Sequence, residues 1–161
     1  MLLKILQTIP DLIFFDILYY FLYKKWKAEQ KPVKLYTCFY CSILFIFLLT
    51  LSPILWNIPQ LFAGHDMRFG LIPFNDAINE YGYYRFEITC NILLFVPFGY
   101  FFTRITGRPT KDAWLAGLCL SIFIEFFQPF LSHVRVCDIT DVITNSFGAF
   151  LGGVLYYLFH K

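Results

Sequence analysis

Seven side chains able to bind ligands or move protons sit inside apolar runs of this chain. Ser121, Glu125 and Gln128 lie in one run, Asp138, Asp141 and Asn145 in the next, and Asn91 opens the one before. A central Asp in hydrocarbon costs about 2.5–3.5 kcal/mol, so such residues face a protein interior or a water-filled cavity and mark a functional site by default. Glu125, Asp138 and Asp141, crowded in low dielectric, cannot all stay ionised without a cation. Arg135, three residues before Asp138, supplies one if the helix begins early enough. A divalent ion is another answer, since Mg²⁺ favours carboxylate oxygens and water. A third is that one carboxyl stays protonated and acts as general acid or base. The carboxamides of Asn91, Gln128 and Asn145 suit a polar head group. No cofactor or metal is named by these residues, and His133 reads as an interfacial side chain.

The elements that must position them are membrane helices. The chain has 161 residues, 58% of them hydrophobic and only 15% charged, against about 25% charged in soluble domains. The expected fold is all-α, a polytopic membrane helix bundle of about five transmembrane helices, forming one membrane domain over residues 1–161. The segments run from about Ile5 to Tyr23, Leu35 to Leu55, Ile88 to Phe102, Ala113 to Leu131 and Asp138 to Phe159. A span needs about 20 apolar residues. The third segment, with Pro97 and Gly99, is therefore short and must tilt, kink or extend into its flanks. The first carries Pro10, Asp11 and Asp16 and either crosses the bilayer or lies in its interface, where partial exposure accounts for both acids. No small-residue cleavage site follows it, and no internal repeat is visible.

Loop charges set the expected orientation. Lys24, Lys25, Lys27, Lys31 and Lys34 follow the first segment, and Arg104, Arg108 and Lys111 separate the third from the fourth. Both connections belong in the cytoplasm by the positive-inside rule. The connection from Trp56 to Glu87 holds only Arg68 and Arg85 and becomes one long extracytoplasmic loop. Loops of that length are often functional, and its tyrosines also suit an aromatic belt.

At 100° per residue, Gly117, Ser121, Glu125 and Gln128 share one helix face, and Asp138, Asp141, Asn145, Gly148 and Gly152 share another. Each stripe has a polar outer half and a small-residue inner half. Gly148-x-x-x-Gly152 allows close backbone approach of a neighbouring helix, which draws the polar halves together near the outer surface. Buried amides and carboxylates also hold bundles together without further function, at about 0.6 kcal/mol per pair. The five cysteines make no disulfide framework. Cys38-x-x-Cys41 lacks the context of a zinc or redox site, and Cys90, Cys119 and Cys137 read as small apolar residues.

These same residues resemble the VanZ family. Asn91-Ile92-Leu93-Leu94-Phe95-Val96-Pro97-Phe98-Gly99 is similar to its N-x-L-x-F-x-P-F-G segment, and Glu125-x-x-Gln128 to its E-x-x-Q. Arg135-x-x-Asp138-x-x-Asp141-x-x-x-Asn145-x-x-Gly148 is similar to its R-x-x-D-x-x-D-x-x-x-N-x-x-G signature, and Pro73-Phe74 to the P-F that precedes them. The resemblance covers roughly residues 72–153; the first 70 residues carry no matched motif. It implies a multi-pass bacterial cell-membrane protein associated with low-level resistance to teicoplanin, a glycopeptide that binds cell-wall precursors outside the membrane. The expected action is at the outer face, by sequestration or modification of a lipid-linked ligand. Glu125, Asp138 and Asp141 are then the candidate catalytic residues. Asn91, Gln128, Arg135 and Asn145 bind the ligand, Arg135 with a planar fork suited to phosphate. The expected partners are the lipid bilayer and a lipid-linked cell-wall precursor or teicoplanin; an oligomer is open. An intramembrane phosphoryl- or acyl-transfer enzyme on a lipid carrier, and a non-catalytic partner of envelope machinery, remain alternatives. Nucleic-acid binding is not expected, because the basic residues are spread over membrane-adjacent loops.

Overall fold

The computed structural model of the chain describes residues 2–59, 69–131 and 136–160, with side chains from residue 6 onward. Arg135 and His133 lie outside the described residues. In chain order the elements are α1 (Leu2–Ala28), α2 (Val33–Thr50), α3 (Ile54–Asn57), β1 (Phe69–Gly70), α4 (Asn75–Ile78), α5 (Tyr84–Thr106), α6 (Thr110–Leu131), β2 (Cys137–Asp138) and α7 (Ile139–Phe159). Helix predominates because hydrocarbon offers no partner for backbone N–H and C=O groups, and a helix satisfies them internally.

Among the described residues four helices, α2, α5, α6 and α7, are long and apolar enough to cross a membrane. The chain is a helical membrane protein. α1 is longer than any of these, 27 residues or about 40 Å at 1.5 Å per residue.

Three departures of the helix boundaries from the apolar runs shape the candidate site's surroundings. The second segment ends at Thr50, not Leu55: Leu51 caps it by donating its N–H to the Phe47 carbonyl, and Pro53, which cannot continue a helix, precedes the separate turn α3. The third segment extends at both ends to 23 residues, with Pro97 accommodated inside it. It stops at Gly107, whose φ of +65° forms a left-handed cap. The fifth begins one residue late. Asp138 is extended and caps α7 from outside, its carboxylate accepting the Thr140 N–H at 2.7 Å.

α7 is the central element, packed most extensively on α5 and then on α6. Its seam with α5 is backbone on backbone. A Cβ at Gly148 would collide with the Ile92 carbonyl, one at Gly152 with the Val96 carbonyl, and one at Gly99 with the Ala149 carbonyl. Gly117 on α6 meets the Ala149 methyl in the same way. Around this seam Phe95, Phe98, Ile46, Ile124 and Leu131 form the buried apolar core, and Phe39 of α2 lies over Phe98 at 5.6 Å between ring centroids.

Asp11 corrects an expectation. It is 1% exposed, not at a wet edge. Its carboxylate accepts hydrogen bonds from the Ser52 hydroxyl (2.7 Å), the Ile54 N–H (2.7 Å) and the Leu55 N–H (2.8 Å). It therefore satisfies the free N–H groups at the start of α3 and pins α1 to the end of α2. Asp16, one turn further on, is exposed.

Candidate functional site

The polar stripe of α6 faces inward: Ser121, Glu125 and Gln128 are all buried. Glu125 accepts the Asp138 N–H on Oε2 at 3.0 Å, so it fixes the turn into α7 as well as carrying a carboxylate. Gln128, one turn further, donates to the Thr50 carbonyl at 3.4 Å, a group freed by the end of α2. On α7, Asp141 accepts from Asn91 Nδ2 at 2.7 Å, and Asn145 donates to the Ser121 hydroxyl at 2.9 Å. The Ser121 hydroxyl reaches the Asp141 carbonyl at 3.5 Å. Asn145 Oδ1 is buried without a hydrogen-bond partner.

Six of the seven sequence-derived candidates thus come together: Asn91, Glu125, Gln128, Asp138, Asp141 and Asn145. The seventh, Arg135, lies outside the described residues. Its helical pairing with Asp138 required an earlier helix start than Ile139. Asn91 is also deeper than expected. It lies seven residues into α5, counted from Tyr84, or about 10 Å, because the helix begins before the apolar run does.

A cavity of about 410 Å³ opens where the C-terminal ends of α2 and α6 meet the N-terminal ends of α5 and α7. Asn91, Gln128, Asp138 and Asp141 line it together with Thr50, Glu87 and Cys90. Glu125 and Asn145 lie behind this wall. The outward lip is apolar: Leu49, Phe86 and Val136 line the cavity and remain exposed on the protein surface. The basic residues of both short connections, from Lys24 to Lys34 and from Arg104 to Lys111, lie at the opposite ends of the same helices.

The long loop closes over this end. β1 pairs in parallel with β2, Phe69 opposite Cys137 and Gly70 opposite Asp138. Gly70 lies beside the Asp138 carboxyl, which a Cβ there would meet in ordinary van der Waals contact at 3.5 Å. Phe74, at a φ of +56°, donates its N–H to the Thr140 hydroxyl at 3.0 Å. A small hollow between the loop and α7, about 20 Å³ and room for roughly one water, shares Glu87, Asp138 and Asp141 with the larger cavity.

Glu87, Thr50 and Thr140 escaped the sequence reading. Glu87 had a local signal, standing four residues before Asn91 on the same helix face. Thr50 and Thr140 had none, since each acts through a partner 66 or more residues away. The Cys137 thiol is raised above its ordinary value by burial, then by the Glu125 and Asp138 carboxylates beside it, which makes it a poor nucleophile at neutral pH. Cys90 and Cys137 are both free thiols. Among the described residues no three His, Cys, Asp or Glu side chains converge as ligands of a metal ion. What this arrangement offers chemically is a wall of carboxylate acceptors and carboxamide donors beside a greasy lip, suited to an amphiphile with a polar head.

The comparisons with known proteins extend further along the chain than the motifs do. The VanZ/LLP1 family model matches residues 37–160, taking in α2 and therefore the Thr50 side of the cavity. A curated relative, Protein VanZ of Enterococcus faecium, is 36% identical over 116 residues, covering 70% of this chain and 67% of the relative. No solved structure matches the chain. With both the family model and a curated relative extending over most of its length, this helical membrane protein belongs to the VanZ/LLP1 family.

Proposed function

We propose that this chain lowers susceptibility to teicoplanin and related lipoglycopeptides by holding the polar head of a lipid-linked cell-wall component in an outward-facing cavity. The cavity walled by Asn91, Gln128, Asp138 and Asp141 carries this reading. Its outward orientation follows from the basic connections at the other end of the bundle and the positive-inside rule. Asn91 orients Asp141, and Glu125 holds the backbone that presents Asp138. Sequestration needs only these hydrogen-bonding groups. Modification of the ligand would use Asp138 or Asp141, both part-exposed to the cavity, as general acid or base; this is the enzyme reading, phosphoryl or acyl transfer on a lipid carrier.

The test is teicoplanin susceptibility of a sensitive Gram-positive host expressing the wild type, Asp141→Asn or Glu125→Gln, with membrane levels matched. Protection by the wild type and its loss in both near-isosteric variants supports a chemically acting cavity. Equal protection by all three makes the polar cluster scaffolding and sinks the proposal.

A further inference from the structure

The second large concavity lies on the side of the bundle, between α6 and α7, with a volume of about 570 Å³, inside the range of ligand sites. It is a groove and not merely a lipid-facing surface. Its floor, Val142 and Ser146, is 8% and 4% exposed, while its rim residues Trp114 and Phe147 are 40% and 47% exposed. The Ser146 hydroxyl is spent on the Ile143 carbonyl at 3.0 Å, so it makes no polar demand on an occupant. Along α7 the groove runs from Phe150 to Ile139, eleven residues or about 16 Å. That is about half of a 30 Å hydrocarbon core, the depth of one leaflet.

Lys111 stands at the Phe150 end of the groove, in the first turn of α6. The neighbouring Thr110 abuts Gly153 of α7, which fixes that level. Lys111 is exposed and makes no ion pair among the described residues, whereas Asp112 next to it is engaged with Arg108 at 3.9 Å. An apolar channel of one-leaflet length with an unneutralised cation at its end is complementary to an anionic amphiphile. A second copy of this chain fits less well. Helix pairs in membranes approach through small residues, and this rim is built of Trp and Phe.

We infer that the α6–α7 groove binds one anionic phospholipid of the bilayer, its phosphate on Lys111 and an acyl chain along Val142 and Ser146. The test uses the full chain with Trp26 and Trp56 replaced by Phe, which leaves Trp114 as the only one of the three tryptophans. It is reconstituted in phosphatidylcholine vesicles containing chain-brominated phosphatidylglycerol or chain-brominated phosphatidylcholine, and quenching of Trp114 is read. The expected result is about a fivefold preference for the phosphatidylglycerol, the weight of one basic side chain against anionic lipid. Lys111→Gln removes the preference. Val142→Phe, which fills the floor, weakens quenching by both lipids. Equal quenching by the two lipids in the wild type overturns the inference, as does a preference that survives Lys111→Gln. Trp114 shielded from both lipids in a dimeric chain overturns it in favour of a second copy. Lys111 is exposed, so its variant decides the question even if Val142→Phe fails to fold.

Discussion

Asp11 and Asp16 are two carboxylates five residues apart on one helix with opposite fates. Three hydrogen bonds to a charged acceptor hold Asp11, and bonds of that kind contribute about 1.5–3 kcal/mol each when partner removal does not strand a charge. Asp11→Asn keeps the shape and loses the charge. It is expected to lower thermal stability in detergent by about 2 kcal/mol and to increase proteolysis at the α1–α2 connection, while Asp16→Asn stays within about 0.5 kcal/mol of wild type, the usual range for surface changes. At Cys137 the raised thiol pKa leads to a pH prediction. The thiolate forms only above the ordinary range near 8.5, so in a chain retaining Cys137 alone, maleimide labelling at neutral pH runs slower than for a free thiol and accelerates as pH rises. Glu125→Gln removes one of the two neighbouring carboxylates and is expected to speed labelling at fixed pH. No change on Glu125→Gln would leave burial and the Asp138 carboxylate as the causes.

Between elements, the decisive contact is the seam of α5 with α7. The carbonyls of Ile92, Val96 and Ala149 that face its glycines are main chain and cannot rotate aside. Gly148→Ala and Gly152→Ala are therefore each expected to destabilise by about 1–3 kcal/mol, in the range of overpacked cores, measurable by unfolding in detergent. A loss below 0.5 kcal/mol would mean that the seam relaxes. The Gly148-x-x-x-Gly152 pattern made this packing legible in sequence, because it depends only on spacing along one helix. Helix ends were less legible. Hydropathy fades at Tyr84–Glu87, yet α5 is helical there, since a helix ends where its backbone bonding ends and not where its side chains turn polar. The polar stripes of α6 and α7 were equally readable from their 100° phase. Gln128 on the Thr50 carbonyl and Gly70 beside Asp138 were not, because periodicity within a segment carries no information about distant pairing.

At the scale of the molecule, the long helices α2, α5, α6 and α7, with α1 attached through α2 and α3, put the cavity and the basic connections at opposite ends. This orientation predicts labelling in intact cells. With the native cysteines replaced by Ser, Tyr83→Cys reacts with a membrane-impermeant maleimide from outside and Arg104→Cys reacts only after lysis. The reverse pattern would turn the cavity toward the cytoplasm and remove the proposed access to cell-wall components. The helical bundle and its long apolar segments were readable because apolar length is a property of the chain itself. The folding of the long loop onto α7 was not, since two-residue strands such as β1 and β2 have no pattern of their own.

The lip formed by Leu49, Phe86 and Val136 bears on how potency should be measured. For a ligand that enters the proposed cavity from the bilayer past these side chains, the working concentration is its amount per lipid, not its molarity in the medium. Two ligands with identical heads and different tails would then differ in apparent affinity by their partition coefficients alone, at about 0.8 kcal/mol per buried methylene. Binding titrations become comparable once lipid is counted as solvent. The same head on a tailless analogue would look inert in water while fitting the cavity equally well.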